Sequence, residues 1–505
     1  MNKVKTVKTW NGFSLVVLLL LLLTEGMLFL RIWNLKMLPN TYFLILAGAV
    51  LLVTLLLALL MFRRKTGAWA KRTGHGKQII GYLLSAVIIT LCCIGYMAVT
   101  EVQKTIDGIT APEKVSMVLE IYVRSEDPAE YLQDTNGYTY ALPEDIPEDS
   151  LTPVIQELEE LISEEIETVW HANAAAQIRA LLAGEVDAVV VDSAYIPALE
   201  SMEEYGDLTN RIKLLHEKVV EKEITPLPTV PMPESTRSEN AFLMYISGSD
   251  SRSRVLSDGR SDVNILVAVN TDTHQILMIN TPRDYYVVNP ASGDGSMDKL
   301  THCGIKGIGN SMGALSSLYG QQVDYYARIN FSGFEKLVNS LGGVTIHSDV
   351  GFTAGNTYIQ KGENRLNGAQ ALAFVRERKH LRGGDNDRGK NQMKLVAGIV
   401  NELTAGNLLA NYSEILQSLE GMFTTNFPSD KIGSLVQLQL TQMPKWEIFS
   451  CASTGENGTD SCWAAGGGYA YVMYPHENVV AHASGLLDQV LTGETLTQED
   501  MIVTQ

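Results

Sequence analysis

Arginines and aspartates recur in five short segments of this chain. They are SGSD (Ser247–Asp250), GRSD (Gly259–Asp262), TPRD (Thr281–Asp284), VRER (Val375–Arg378) and GDNDRGKNQ (Gly384–Gln392). Arginine forks match phosphate oxygens, and carboxylates hold a divalent cation against them. The two residue types together point to a site for a metal-bound diphosphate. The rest of the chain is acidic, with a formal net charge of −18. That balance argues against general nucleic-acid binding, which needs a basic face.

Each segment has a place in the expected elements. Asp250 follows a predicted strand and Asp262 directly precedes another, so both stand at strand ends, where open α/β sheets gather ligands. Either aspartate alone could equally be a turn residue bonding its own backbone. Arg283 follows a strand on a turn stiffened by Pro282, and Arg260 lies just before Asp262 in its turn. Arg376 and Arg378 would face opposite ways on a helix but one way in an extended segment. The helix Gly368–Val375 is therefore expected to end at Arg376, leaving both guanidiniums to grip one phosphate. A solvated basic helix exit, continued by Lys379 and His380, is the other reading. Asp385, Arg388 and Gln392 fall at i, i+3 and i+7 on one helical face. Gly383 and Gly384 turn the chain there, and a helix N-terminus itself favours an anion. Asp385 reads either as the cap of that helix or as a base beside the phosphate. Gly304–Gly313 misses the dinucleotide spacing, because Met312 stands where the last glycine should be. His302, His347 and His380 read as ordinary polar residues.

These segments need a scaffold. Strands are expected at Ala241–Ser247, Val263–Val269, Gln275–Asn280, Asp324–Asn330 and Val344–His347. Helices are expected at Asn310–Tyr319, Phe331–Ser340, Gly368–Val375, Asp387–Leu403, Tyr412–Gly421, Ile432–Leu440 and Asn478–Thr492. Alternation of this kind is a layered α/β domain, at 241–495. Before it, 224–240 is a proline-dense linker that favours extended geometry. Residues 113–223 carry a strand from Lys114 to Val123, helices at Val154–Val169 and Ala174–Leu182, and a buried strand at Asp187–Asp192, so they form a second α/β module. Its stretch from Ala174 to Glu200 resembles a lobe of a periplasmic substrate-binding protein; a structural spacer fits equally.

Residues 1–112 hold three apolar runs, about Phe13–Trp33, Tyr42–Phe62 and Ile79–Thr100. A bilayer-crossing helix needs about 20 residues. Lys3, Lys5 and Lys8 precede the first run, and Arg63, Arg64, Lys65, Lys71, Arg72 and Lys77 fill the second loop. The positive-inside rule makes both cytoplasmic and puts everything after Glu101 outside. Two further spans argue against a cleaved signal peptide. Glu25 is expected to snorkel toward the interface. Among the five cysteines, Cys92 and Cys93 read as packing residues in the third span. Cys451 and Cys462 flank a loop outside the membrane, where a disulfide is open.

The ordered motifs SGSD, GRSDVNIL, TPRD, DKLTHCG, DYYARINF, LGGV, LNGAQALAFVRER and GDNDRGKNQ resemble the LytR-CpsA-Psr family of bacterial cell-wall enzymes. The resemblance is strong over Ala241–Leu403. It implies a three-layer αβα domain, outside a membrane anchor, with an apolar tunnel for a polyprenyl chain. It implies a phosphotransferase that moves a glycopolymer from an undecaprenyl-diphosphate carrier to peptidoglycan, with magnesium. By that resemblance Asp250 and Asp262 would hold magnesium. Arg283, Arg376, Arg378 and Gln392 would bind the phosphates, with Arg260 and Arg388 in support, and Asp385 would be the general base. Phe331–Leu341 and Leu366–Phe374 would line the tunnel or simply pack a core. A polyprenyl-diphosphate-binding regulator, or a lipid pyrophosphatase without transfer, is the runner-up. Three spans and the 113–223 module exceed a minimal one-span member and look like CpsA-type capsule proteins. The polymer, whether teichoic acid or capsule polysaccharide, stays open.

Overall fold

The computed structural model describes residues 2–62, 76–110, 114–223, 237–249, 256–407, 415 and 419–502. Asp250, the basic loop 63–75, most of the linker (224–236) and most of the expected helix Tyr412–Gly421 lie outside the described residues. The chain divides into two compact units, Met1–Thr110 with Phe427–Pro444, and Ala111–Asn426 with Lys445–Gln505.

The first unit holds α1 (Asn2–Leu35), α2 (Asn40–Met61) and α3 (Gly76–Thr110), each long and apolar enough to cross a membrane. Leucines such as Leu23, Leu44 and Leu59 face outward, while Ser14, Glu25, Thr54, Gln78 and Ser85 are buried. A bundle solvated by lipid has this polarity, because polar groups find partners only between the helices. Ser14 Oγ donates to the Met61 carbonyl at 2.9 Å, as does Gln78 Nε2 at 2.9 Å. Glu25 corrects the snorkelling expectation: it points into the bundle and accepts 2.7 Å from Thr54 Oγ1. The helix Ser429–Gln442 belongs to this unit; Gln437 Nε2 donates to the Lys36 carbonyl at 2.5 Å.

The second unit begins with β1 (Lys114–Arg124), β2 (Thr139–Pro143), α4 (Glu148–Ile162), β3 (Glu167–His171), α5 (Ala174–Ala183), β4 (Ala188–Asp192) and β5 (Ile212–Glu223). The strands form a five-stranded sheet in the order β3-β2-β4-β1-β5. The helix expected over Val154–Val169 stops at Ile162, because Ser163 turns left-handed (φ 63°), and the chain re-enters the sheet as β3. Val189 and Val191 face one core and Val190 the other, so β4 is buried on both sides.

The larger sheet uses β6 (Ala241–Ser249), β7 (Val263–Asn270), β8 (Gln275–Asn280), β9 (Tyr325–Asn330), β10 (Phe423–Thr425) and β11 (Glu447–Ala452). Their order is β10-β9-β6-β7-β8-β11. β6 runs parallel to β9 and antiparallel to β7, with Gly248 opposite Val263. Helices cover both faces. α6 (Ile308–Tyr319) and α10 (Glu477–Thr492) share a core with Leu266, Ala268, Leu277 and Ile279. Alternation sends Asn280 to the other face, where α9 (Asp385–Glu402) packs; an added Cβ on Gly389 would collide with the Asn280 side chain. Between them in sequence, α7 (Phe331–Ser340) and α8 (Gly368–Arg376) join an apolar cluster with Phe352, Leu366, Phe374 and Leu395.

A hairpin of β12 (Gly455–Cys462) and β13 (Gly468–Pro475) leaves the sheet and meets the first module. Cys462, Ala464, Ala470 and Val472 share one core with Ala175, Tyr195, Leu199 and Met202. Lys306 Nζ reaches Asp145 at 2.7 Å and lies over the Tyr195 ring at 5.6 Å. Asp298 braces the hairpin turn. Its Oδ1 sits 2.7 Å from His302 Nδ1 and accepts from Lys299 N, and its Oδ2 accepts from Ala464 N at 2.8 Å. Cys462 completes a buried Asp298–His302–Cys462 cluster, but those bonds already engage both carboxylate oxygens. Cys451 and Cys462 are both free thiols in different cores, which closes the disulfide question.

Candidate active site

Five loops and helix ends meet at one cavity of about 260 Å³, lined by Asp262, Val263, Arg283, Phe331, Val375, Arg376, Arg378, Arg388 and Gln392. Asp262 is placed by the entry to β7, where its N–H donates to the Gly248 carbonyl at 2.8 Å. Arg283 follows β8 and donates from Nη1 to Asp262 Oδ1 at 3.0 Å. Its Nε lies 3.5 Å from Asp284, a residue the sequence reading passed over, and Lys299 Nζ is 3.8 Å from the same carboxylate. Burial would lower the Arg283 pKa, but Asp262 and Asp284 overcome it and hold the guanidinium above its ordinary value.

α8 ends at Arg376, and Glu377 is extended (φ −67°, ψ 130°), so Arg376 and Arg378 both reach the cavity as the spacing predicts. The Arg376 guanidinium lies 4.7 Å from the centre of the Phe331 ring. Stacking of this kind fixes an arginine without spending its N–H groups. Among the described residues, neither Arg376 nor Arg378 forms an ion pair. Phe331 opens the segment expected to line an apolar tunnel; its stacking with Arg376 was not foreseen.

α9 begins at Asp385 with Gly384 as its N-cap (φ 55°) and no side-chain cap. Asp387 instead takes the Gly383 N–H at 2.8 Å, so the capping reading of Asp385 is corrected. Asp385 Oδ1 pairs with Arg388 Nη2 at 2.6 Å and stands beside the lining rather than in it. Burial lowers the Arg388 pKa, Asp385 opposes this, and neighbouring Arg283 and Arg378 lower it further. Burial is the larger influence, with the two neighbouring cations adding to it. Gln392 is nearly buried and donates to the Val375 carbonyl at 3.4 Å, tying α9 to α8. Arg260 is half-buried in the turn before Asp262 and is not part of the lining. Asp250 directly follows Ser249, the end of β6, and is outside the described residues.

One wall is apolar. Val375 and Phe331 belong to the cluster that holds Val338, Leu341, Leu366, Leu372 and Phe374, the segments expected beside a lipid. A floor rich in arginines therefore adjoins an apolar layer.

The profile of the LytR_cpsA_psr family matches residues 208–479, more than half of the chain. The chain belongs to the LytR-CpsA-Psr family. Among curated relatives it is similar to the polyisoprenyl-teichoic acid–peptidoglycan teichoic acid transferase TagU of Oceanobacillus iheyensis, 30% identical over 207 residues. That match covers 40% of this chain and 63% of the relative, so under two thirds of that protein is represented. TagU of Bacillus mycoides is 26% identical over 45% of this chain and 74% of its own. Among solved structures, TagV of B. subtilis is 22% identical, covering 51% of this chain and 100% of its own, with a TM-score of 0.43. The family match starts within the 113–223 module, just before β5.

Proposed function

We propose that this protein transfers a glycopolymer from an undecaprenyl-diphosphate carrier to a peptidoglycan hydroxyl at the outer face of the membrane. One observation carries the reading: Asp262, Arg283, Arg376, Arg378, Arg388 and Gln392 converge on a single cavity with an apolar wall. A diphosphate needs several fork-shaped donors, and its prenyl tail needs an apolar layer. The names of the TagU relatives support the same substrate pair.

The protein's part is mostly positioning and charge stabilisation, as phosphoryl transfer requires. Arg376 and Arg378, free of ion pairs, take the non-bridging phosphate oxygens. Arg283 and Arg388, already oriented by Asp262 and Asp385, brace the second phosphate. The acceptor hydroxyl oxygen bonds to the phosphorus nearest the glycan, and the bond from that phosphorus to the bridging oxygen breaks. Asp385 accepts the hydroxyl proton, and undecaprenyl phosphate leaves with the bridging electron pair. Magnesium fits the donor set, since a hard cation takes carboxylate and phosphate oxygens and Asp262 offers a carboxylate in the lining. Asp262 would hold it with Asp250, and it would supply charge neutralisation at the diphosphate.

The test uses lipid-linked glycan labelled in the sugar, mixed with peptidoglycan and the full chain. Label fixed on peptidoglycan with release of undecaprenyl phosphate is the expected result. Label released to water would replace transfer with hydrolysis, and unchanged lipid would leave only binding.

A further inference from the structure

The β12–β13 hairpin has two unlike faces. In its register Thr459 opposes Tyr471 and Ser461 opposes Tyr469, so these side chains share one side with Asn457. Tyr469 is 66% exposed and Tyr471 44% exposed. The Tyr471 hydroxyl is steadied by Asn457 Oδ1 at 2.8 Å. These five side chains carry no formal charge, on a chain of net charge −18.

The opposite face is fastened. Ala470 and Val472 are buried in the core shared with the first module, and Gly458 leaves room for the Tyr474 ring to lie across the strand. Gly466 meets Ala175 so closely that an added Cβ would stand 2.6 Å from it. The hairpin is thus clamped behind; in front, Met473 packs into the large core while Tyr469 and Tyr471 stay open to solvent.

Its position gives it a use. Met473 N donates to the Asp284 carbonyl at 2.8 Å, beside Arg283 of the cavity. Tyr471 lies two strand residues away, about 7 Å along the hairpin, and Tyr469 lies as far again. The Tyr471 phenol is pushed up by burial and then by the fields of Asp284 and Asp385. Sugar rings present C–H-rich faces to aromatic rings and hydroxyls to amide and hydroxyl side chains. An uncharged tyrosine, threonine, serine and asparagine face offers both.

The geometry points to the exposed face of this hairpin as the platform on which the acceptor glycan strand of peptidoglycan lies, its sugar rings against Tyr469 and Tyr471. This rests on the transfer reading above and names where its second substrate docks.

The test compares the full chain in lipid nanodiscs with its Tyr469→Ser/Tyr471→Ser and Tyr469→Phe/Tyr471→Phe variants. Solubilised peptidoglycan strands serve as acceptor, and geranylgeranyl diphosphate probes the phosphate cavity. In the serine variant, retention on purified peptidoglycan falls about tenfold and the acceptor KM rises about tenfold. Its kcat changes less than about twofold, and its diphosphate affinity equals the parent's. The phenylalanine variant keeps parental values. A serine variant with parental KM and retention overturns the platform while transfer stands. Loss in the phenylalanine variant as well overturns ring stacking. A parent that holds peptidoglycan but transfers nothing, with a serine variant that does not hold it, keeps the platform and removes the transfer reading.

Discussion

The two α/β modules of the second unit are built alike and use their charges differently. In the 113–223 module several cations are held by partners. Arg124 donates to the Leu181 and Val186 carbonyls at 3.0 and 2.9 Å, Lys213 donates to the Asp127 carbonyl at 2.7 Å, and Lys218 and His216 share Glu157. The larger module also pairs Arg237 with Asp324 and Arg328 with Asp258, each at 2.9 Å. At its cavity four arginines gather, and among the described residues Arg376 and Arg378 form no ion pair beside Arg283 and Arg388. A paired charge serves the fold; a pre-placed unpaired one is ready for a ligand.

The largest test of that contrast is Arg376→Ala. It should lower kcat/KM for transfer on the order of 10³-fold. Because Arg376 is exposed, stability should change by less than about 0.5 kcal/mol. Parental activity in this variant would remove the cavity from the chemistry. Next is Asp298→Asn at the joint between the modules, expected to cost about 2–3 kcal/mol in denaturant unfolding. Burial would raise the Asp298 pKa, but His302 and the Ala464 and Lys299 N–H groups hold it below the ordinary carboxylate value. A depressed folded pKa gives stability that is full above about pH 4 and drains away as pH falls through the folded value. The parent's midpoint should therefore drop more steeply on acidification than the variant's; parallel curves would contradict this. Gly389→Ala should cost about 1–3 kcal/mol by pushing α9 off Asn280, and about tenfold in transfer as Arg388 and Gln392 shift. Lys218→Ala sharpens the comparison from the other side. Its partly exposed pair with Glu157 should be worth less than about 0.5 kcal/mol, and transfer should be parental. A large loss of transfer there would erase the distinction between the modules.

Much of this was legible in the residues. The i, i+3, i+7 pattern put Arg388 and Gln392 on one face of α9, and the VRER spacing placed the end of α8 at Arg376. Hydropathy marked the three apolar helices. Other features were not legible, each for a local reason. β12 reads GENGTDSC, which has no apolar alternation, because its exposed side chains meet solvent and its pairing comes from β13. The helix through Val154–Val169 overran because Ser163 breaks it by backbone conformation rather than by a strong stop residue. Glu25 was misjudged because its partner, Thr54, lies on another helix.

Residue type and short-range spacing are matters of covalent order, so the chain alone determined which groups could bind phosphate, which helix faces they occupy and which runs suit a bilayer. It could not show which arginines find acidic partners: among the described residues Arg376 forms no ion pair and lies at a cavity, while Arg328 is buried against Asp258. That difference was decided by tertiary structure, because an ion pair forms where two distant segments come within a few ångströms, and only packing brings them there.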